Sequence, residues 1–123
     1  LFAVPGAFTP ACSNQHLPGY IQNAEQIKAK GVDTIACISV NDVFVMDAWG
    51  KSQNAGDKVL MLADGDGEFA KAAGLELDLN GKGLGMRSQR YAMVVEDGTV
   101  KELELEDGGK LENSTAEKLL AKL

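Results

Sequence analysis

Charge is missing from the start of this chain. No Asp, Glu, Lys or Arg precedes Glu25, although the 123 residues carry twelve basic and eighteen acidic side chains, 12 − 18 = −6. Solvated surface is normally sprinkled with charge, so this stretch predicts a covered one: core, interface or the wall of a site. Cysteine occurs twice (Cys12, Cys37), arginine twice (Arg87, Arg90), histidine once (His16) and tryptophan once (Trp49), while all three prolines (Pro5, Pro10, Pro18) lie in the uncharged stretch. Two cysteines cannot build a disulfide framework. With one histidine they cannot complete a four-ligand zinc site without carboxylates. No Cys-x-x-Cys pair is present, so a reducing, cytoplasmic setting is expected and any thiol chemistry must centre on one residue. No unbroken apolar run exceeds five residues, against the ~20 that span a bilayer, so neither a membrane helix nor a signal peptide is expected. A pI near 4.7 argues against nucleic acid, which selects a basic face. With 45% apolar residues the chain can bury a core, and its length fits one domain over residues 1–123. It opens mid-strand on Leu1-Phe2-Ala3-Val4 without an initiator Met, so strands upstream of Leu1 are expected to be missing.

Hydrophobic periodicity orders the rest. Residues 1–4 read as a strand and Pro5-Gly6 as a loop. Thr9-Pro10 reads as a helix start, Thr as N-cap and Pro at the first helical position, where a missing N–H costs nothing. A kink is expected at Pro18-Gly19, with Tyr20, Ala24 and Ile27 on the buried face beyond it and Gly31 closing the helix. Residues 33–40 are β-branched and nearly all apolar, as in a central parallel strand. Asn41 and Asp42 can cap a helix over 43–52, 59–63 reads as another buried strand, and 68–73 as a short helix closed by Gly74. The glycine-rich stretch 75–89 predicts no regular structure. Residues 90–96 and 99–105 flank Asp97-Gly98, a type I′ hairpin signal. Ser114-Thr115-Ala116-Glu117 reads as a capping box for a last helix. Alternating strands and helices followed by a hairpin predict a thioredoxin-like α/β fold, a mixed central sheet flanked by helices.

Thr9 as N-cap places Cys12 in the first helical turn, where free backbone N–H groups and the helix dipole favour a thiolate, the nucleophilic form. That turn follows a strand directly and so lies at the carboxyl end of the sheet, where open α/β folds place their sites. The thiolate needs a cation. If the hairpin strand beginning at Arg90 runs antiparallel to residues 1–4, Arg90 starts at the Cys12 end, with Arg87 one turn earlier. A guanidinium fork can hold both a thiolate and a substrate oxygen.

Duller readings compete. A lone cysteine is usually a small buried hydrophobe; that reading suits Cys37, mid-strand and about 10 Å from the strand end. Arginines at strand starts often pair with surface acids. His16 stands four residues after Cys12 and could form a hydrolytic dyad, but no Asn or Asp is placed to orient it, and a structural histidine is the better reading. Trp49, Phe44, Met46 and Val43 read as core or interface, and Glu102, Glu104 and Glu106, alternating along a strand, as a solvated face.

Pro5-Gly6-Ala7-Phe8-Thr9-Pro10-Ala11-Cys12 resembles the PxxxTxxC active-site signature of peroxiredoxins. His16-Leu17-Pro18-Gly19, residues 36–42, Trp49-Gly50, Leu62-Ala63-Asp64 and residues 87–92 are similar to the type II, or peroxiredoxin-5, subfamily. The resemblance implies a thioredoxin fold and a thiol peroxidase acting on hydrogen peroxide and alkyl hydroperoxides, without metal or prosthetic cofactor. Cys12 would be the peroxidatic cysteine. Thr9 would exchange hydrogen bonds with thiolate and peroxide, Arg90 would match the active-site arginine, and Pro5 would shield the sulfenic acid. Residues 107–114 lack the resolving cysteine of some relatives, so the chain looks like bacterial and plant members reduced by glutathione and glutaredoxin; thioredoxin is a further candidate reductant. A homodimer is expected, from the uncharged segment and the apolar helix around Phe44 and Trp49. The alternative is a non-enzymatic redox sensor or binding module forming mixed disulfides through Cys12.

Overall fold

A computed structural model describes residues 1–108 and 110–123. Gly109, within the cysteine-free loop noted above, lies outside them. The chain forms β1 (Phe2–Ala3), a π-helical turn (Cys12–His16), α1 (Leu17–Gln22), α2 (Ala24–Ala29), β2 (Ala36–Ser39), α3 (Val43–Ser52), β3 (Leu60–Ala63), α4 (Glu68–Ala73), β4 (Glu76–Leu79), β5 (Gly85–Ser88), β6 (Tyr91–Glu96), β7 (Thr99–Leu105) and α5 (Ala116–Leu120). Five strands make one sheet in the order β3-β2-β1-β6-β7. β1, β2 and β3 run parallel, and β6 runs antiparallel to both β1 and β7. This is the thioredoxin-like α/β arrangement.

Strand alternation divides the core. Phe2, Cys37 and Ala92 point to one face, where they meet Leu17, Tyr20, Ile27, Met46, Trp49 and Leu119 from the helices. Ala3, Ile38, Tyr91 and Met93 point to the other and pack with Leu75. The uncharged opening segment is largely covered: Phe2, Val4, Pro5, Gly6, Cys12, His16, Leu17 and Tyr20 are buried.

Several expectations need correction. Residues 75–89 are not irregular: β4 and β5 pair antiparallel as a separate ribbon. The glycines that hid it occupy its loop and the first residue of β5, where Gly81, Gly83 and Gly85 all have φ near +70° to +90°. β3 is an edge strand with Leu60 more than half exposed, not a buried one. The helix break falls at Asn23 rather than Pro18-Gly19. Pro18 is accommodated instead by the π-helical turn before it, in which the Leu17 N–H donates to the Cys12 carbonyl five residues back. Thr115, not Ser114, caps α5, accepting from the Lys118 N–H at 3.2 Å. Glu102 and Glu104 are half-buried, Glu104 pairing with Lys122 at 3.0 Å, and Glu106 is 4% exposed; it is Leu103 and Leu105 that face out. The period-2 pattern was right, but alternation alone does not say which face looks inward.

Candidate active site

The site forms where β1 runs out into the Pro5–Gly6 loop and the chain enters its first helical turn. Thr9 stands at the N-cap position, and its carbonyl accepts the first helical bond from the Ser13 N–H at 2.9 Å. Its hydroxyl does not cap the helix or reach towards sulfur; it donates to the Gly6 carbonyl at 2.6 Å and clips the loop into a turn. With that proton committed, Oγ1 offers lone pairs to anything beside it. Cys12 follows in the first turn, fully buried. Behind the turn, the Trp49 indole N–H donates to the Ser13 hydroxyl at 3.0 Å, fixing the residue next to the thiol.

Arg90 comes from far along the chain. Tyr91 pairs with Ala3 in antiparallel register, so Arg90 lies just past the carboxyl end of β1, beside Cys12. Its Nη2 donates to Cys12 Sγ at 3.1 Å, and its Nη1 lies 3.0 Å from His16 Nδ1. The side chain is 3% exposed, and its Nε–H has no partner among the described residues. Among the described residues the ion pairs are Lys51–Asp47 and Lys122–Glu104, so no carboxylate neutralises Arg90. An unpaired buried guanidinium is costly, and the sulfur is the one group in contact that can carry the compensating charge.

His16 is the third corner. Arginine only donates, so Nδ1 must be the acceptor, Nε2 carries the proton, and it donates to the Ser114 carbonyl at 2.9 Å. Burial, and then the Arg90 charge, lower its pKa to about 4. The ring lies against Phe2 (centroids 5.0 Å apart) and Tyr20 (5.6 Å). Its basic lone pair is spent on Arg90, so the hydrolytic dyad with Cys12 is not formed.

The second arginine turns elsewhere. Arg87 donates from Nε to the Leu84 carbonyl at 2.8 Å and from Nη1 to the Pro5 carbonyl at 3.3 Å. It therefore braces the Pro5–Gly6 loop. A Cβ on Gly6 would lie 2.9 Å from Arg87 Nη1 and 3.1 Å from Thr9 Cγ2, which explains glycine there. Asn41 pins the same loop, its Oδ1 accepting from the Ala7 N–H at 3.0 Å and the Ser39 hydroxyl at 2.6 Å. Asp42 alone caps α3, through the Val45 N–H. Cys37 is fully buried in β2, and burial pushes its thiol well above the ordinary range, with the nearby Cys12 adding to the effect.

Residues 1–120 match the Redoxin family. The chain is 56% identical to Peroxiredoxin-2C of Oryza sativa subsp. japonica over 123 residues, all of this chain and 76% of that protein. This chain is a peroxiredoxin of the type II, peroxiredoxin-5 kind. It is also 56% identical to the chloroplastic Peroxiredoxin-2E of Arabidopsis thaliana, over all of this chain and 53% of that protein. The reduced Prx3 of Vibrio vulnificus, solved in complex with hydrogen peroxide, superposes with a TM-score of 0.95 at 61% identity, over 99% of this chain and 78% of that one. The chain thus spans little more than half the length of some curated relatives it matches.

Two contributors to this peroxiredoxin site escaped sequence reasoning. Glu106 Oε2 accepts from the N–H groups of Glu112, Asn113 and Ser114 and from the Ser114 hydroxyl, at 2.7–2.9 Å. Burial raises its pKa, but the Ser114 hydroxyl and those N–H groups outweigh it and hold the carboxyl below its usual range. The Ser114 carbonyl, so fixed, accepts from both His16 and the Tyr20 hydroxyl. No sequence signal marked Glu106, because it continues the alternation of Glu102 and Glu104 and reads like them as a solvated face.

Proposed function

We propose that the chain is a thiol peroxidase that reduces hydrogen peroxide and alkyl hydroperoxides through Cys12. The observation that carries this is the buried Arg90 fork, 3.1 Å from Cys12 Sγ and without a carboxylate partner. With that guanidinium beside it, the Cys12 thiolate attacks the terminal peroxide oxygen. An S–O bond forms, the O–O bond breaks with both electrons going to the departing oxygen, and the sulfenic acid and an alcohol or water remain once a proton is supplied. The free Arg90 Nε–H is a donor for the developing negative charge. Thr9 Oγ1, its own proton held by Gly6, accepts the hydroperoxide O–H. Pro5, buried in the loop that leads into the Cys12 turn, keeps water from the sulfenic acid. These four residues, Cys12, Thr9, Arg90 and Pro5, make up the proposed catalytic set. The sensor alternative has no use for a guanidinium that meets the sulfur through Nη2 and keeps a further donor, Nε–H, uncommitted.

Regeneration falls to an external thiol, glutathione with glutaredoxin or else thioredoxin, in a reducing compartment. Both cysteines are free and Cys37 sits inside the sheet, which supports an external rather than an internal partner. No helix among the described residues is long and apolar enough to cross a membrane. The working unit is a homodimer, formed through the exposed Phe8, Val43 and Phe44 beside the site.

Intact-mass measurement after one equivalent of peroxide tests the assignment. Cys37→Ser should gain one oxygen at the wild-type rate, and one glutathione when that thiol is present. Cys12→Ser should do neither. Undiminished peroxide consumption by Cys12→Ser, or a Cys12–Cys37 disulfide in the wild type, would overturn the reading.

A further inference from the structure

We infer that His16 is a positioning residue that holds the Arg90 fork on the Cys12 thiolate, and that the Glu106–Ser114 loop keeps it in place. The inference rests on the peroxidase reading for its effect on rate, but its geometry is independent of that reading. Arg90 meets two acceptors one helical turn apart: Nη2 meets the sulfur and Nη1 meets His16 Nδ1. The sulfur bond changes character whenever Cys12 is oxidised. The histidine bond does not, so it is the fixed point from which the guanidinium plane takes its orientation. The neutral imidazole accepts from Arg90 without adding a second cation that would repel it.

The tautomer that supplies this acceptor is set from the opposite side. Nε2–H donates to the Ser114 carbonyl, which Glu106 locks by taking the N–H groups of residues 112–114 and the Ser114 hydroxyl on one oxygen. Phe2 and Tyr20 confine the ring, and the Tyr20 hydroxyl shares the Ser114 carbonyl. The series runs from a buried carboxylate at the end of β7, through a loop carbonyl and an imidazole, to the guanidinium at the start of β6 and the thiolate on the first helical turn. Each of its members is at least nine-tenths buried.

Two substitutions separate the roles of the two ring nitrogens. Asparagine places its Oδ1 where imidazole carries Nδ1, so His16→Asn keeps an acceptor for Arg90 and loses the tie to Ser114. Glutamine places its Nε2 where imidazole carries Nε2, so His16→Gln keeps the tie and loses the Arg90 acceptor. Misplacement of a catalytic group by about 1 Å can lower the rate ~10²-fold. We expect His16→Gln and His16→Leu to react with hydrogen peroxide ~10–100-fold more slowly than wild type, and His16→Asn to stay within about threefold. Thermal melting of each variant confirms folding. Glutamine matching or exceeding asparagine would show that His16 only ties the loop, and would overturn the inference. Nitrogen-15 NMR of the wild-type imidazole at neutral pH supplies a readout free of peroxide chemistry. The expected signature is a protonated Nε2 and a hydrogen-bonded, unprotonated Nδ1. A protonated Nδ1 would overturn the inference even in an active enzyme. The expected signature in a protein inert to peroxide would instead retain the positioning geometry and discard the peroxidase reading.

Discussion

Replacing Arg90 by methionine removes the charge while keeping most of the side-chain volume. Two losses follow. The first is the Nη2 bond to Cys12 Sγ at 3.1 Å in a site 3% exposed. A hydrogen bond to a charged group contributes about 1.5–3 kcal/mol net. At ~1.36 kcal/mol per factor of ten that corresponds to roughly 10–150-fold in rate. The second is the free Nε–H donor for charge developing on the departing oxygen; loss of one preorganised donor typically costs ~10²–10³ in rate. The two overlap, because one guanidinium supplies both, so the variant should react with peroxide ~10²–10³-fold more slowly. Folding should survive. The orphaned His16 Nδ1 costs about 1–3 kcal/mol, but a desolvated cation without a carboxylate partner has also been removed. Arg90→Lys should recover less than about tenfold of the loss, because one ammonium cannot meet both Sγ and Nδ1. Stopped-flow fluorescence suits the measurement. Trp49 is the only tryptophan, and its indole bonds to Ser13 beside the reacting sulfur. A folded Arg90→Met variant with the wild-type second-order rate constant would refute the argument.

Stability should fall between neutral and mildly acidic pH. His16 is neutral in the fold, its pKa lowered from 6.5 to about 4 by burial and Arg90. The unfolded chain therefore binds the extra proton first, and the contribution is present above pH 6.5 and lost as pH falls towards 4. The loss should reach about 2 kcal/mol by pH 5 and disappear in His16→Asn, as measured by urea denaturation at both pH values; Glu106, with its lowered pKa, adds a loss of the same sign below about pH 4.5. The proposed dimer should sediment at twice the 13.0 kDa chain mass at micromolar concentration, and Phe44→Glu, at a position 81% exposed, should dissociate it without unfolding it. A lone 13.0 kDa species in the wild type would count against that surface.

What the sequence made legible divides by the range of the interactions involved. α3 and α4 match their expected limits, because Asp42 and Gly74 are local stops whose effect does not depend on distant neighbours. The Asp97-Gly98 hairpin turn is equally local, with both residues at positive φ. The β4–β5 ribbon was hidden because loop glycines dominate a stretch whose strands are only four residues each. The facing of the β7 glutamates was hidden because a period of two fixes alternation and leaves inside and outside open.

The site divides in the same way. Cys12 was legible from its own octapeptide, since Thr9-Pro10 sets the helix start that exposes it to the first-turn dipole. Arg90 was legible through one topological step, the antiparallel pairing of β6 with β1. His16 was visible but its role was not, because that role is set by Arg90, 74 residues away, and by the Ser114 carbonyl, 98 residues away. Proximity in sequence suggested a pair with Cys12; the fold instead gives the histidine lone pair to the arginine, and the arginine to the sulfur. A cation placed this way is held in orientation by a second acceptor, and a neutral one adds no charge of its own beside the sulfur. A neutral imidazole, kept neutral by burial and by the guanidinium itself, meets that condition within the apolar opening segment of the chain.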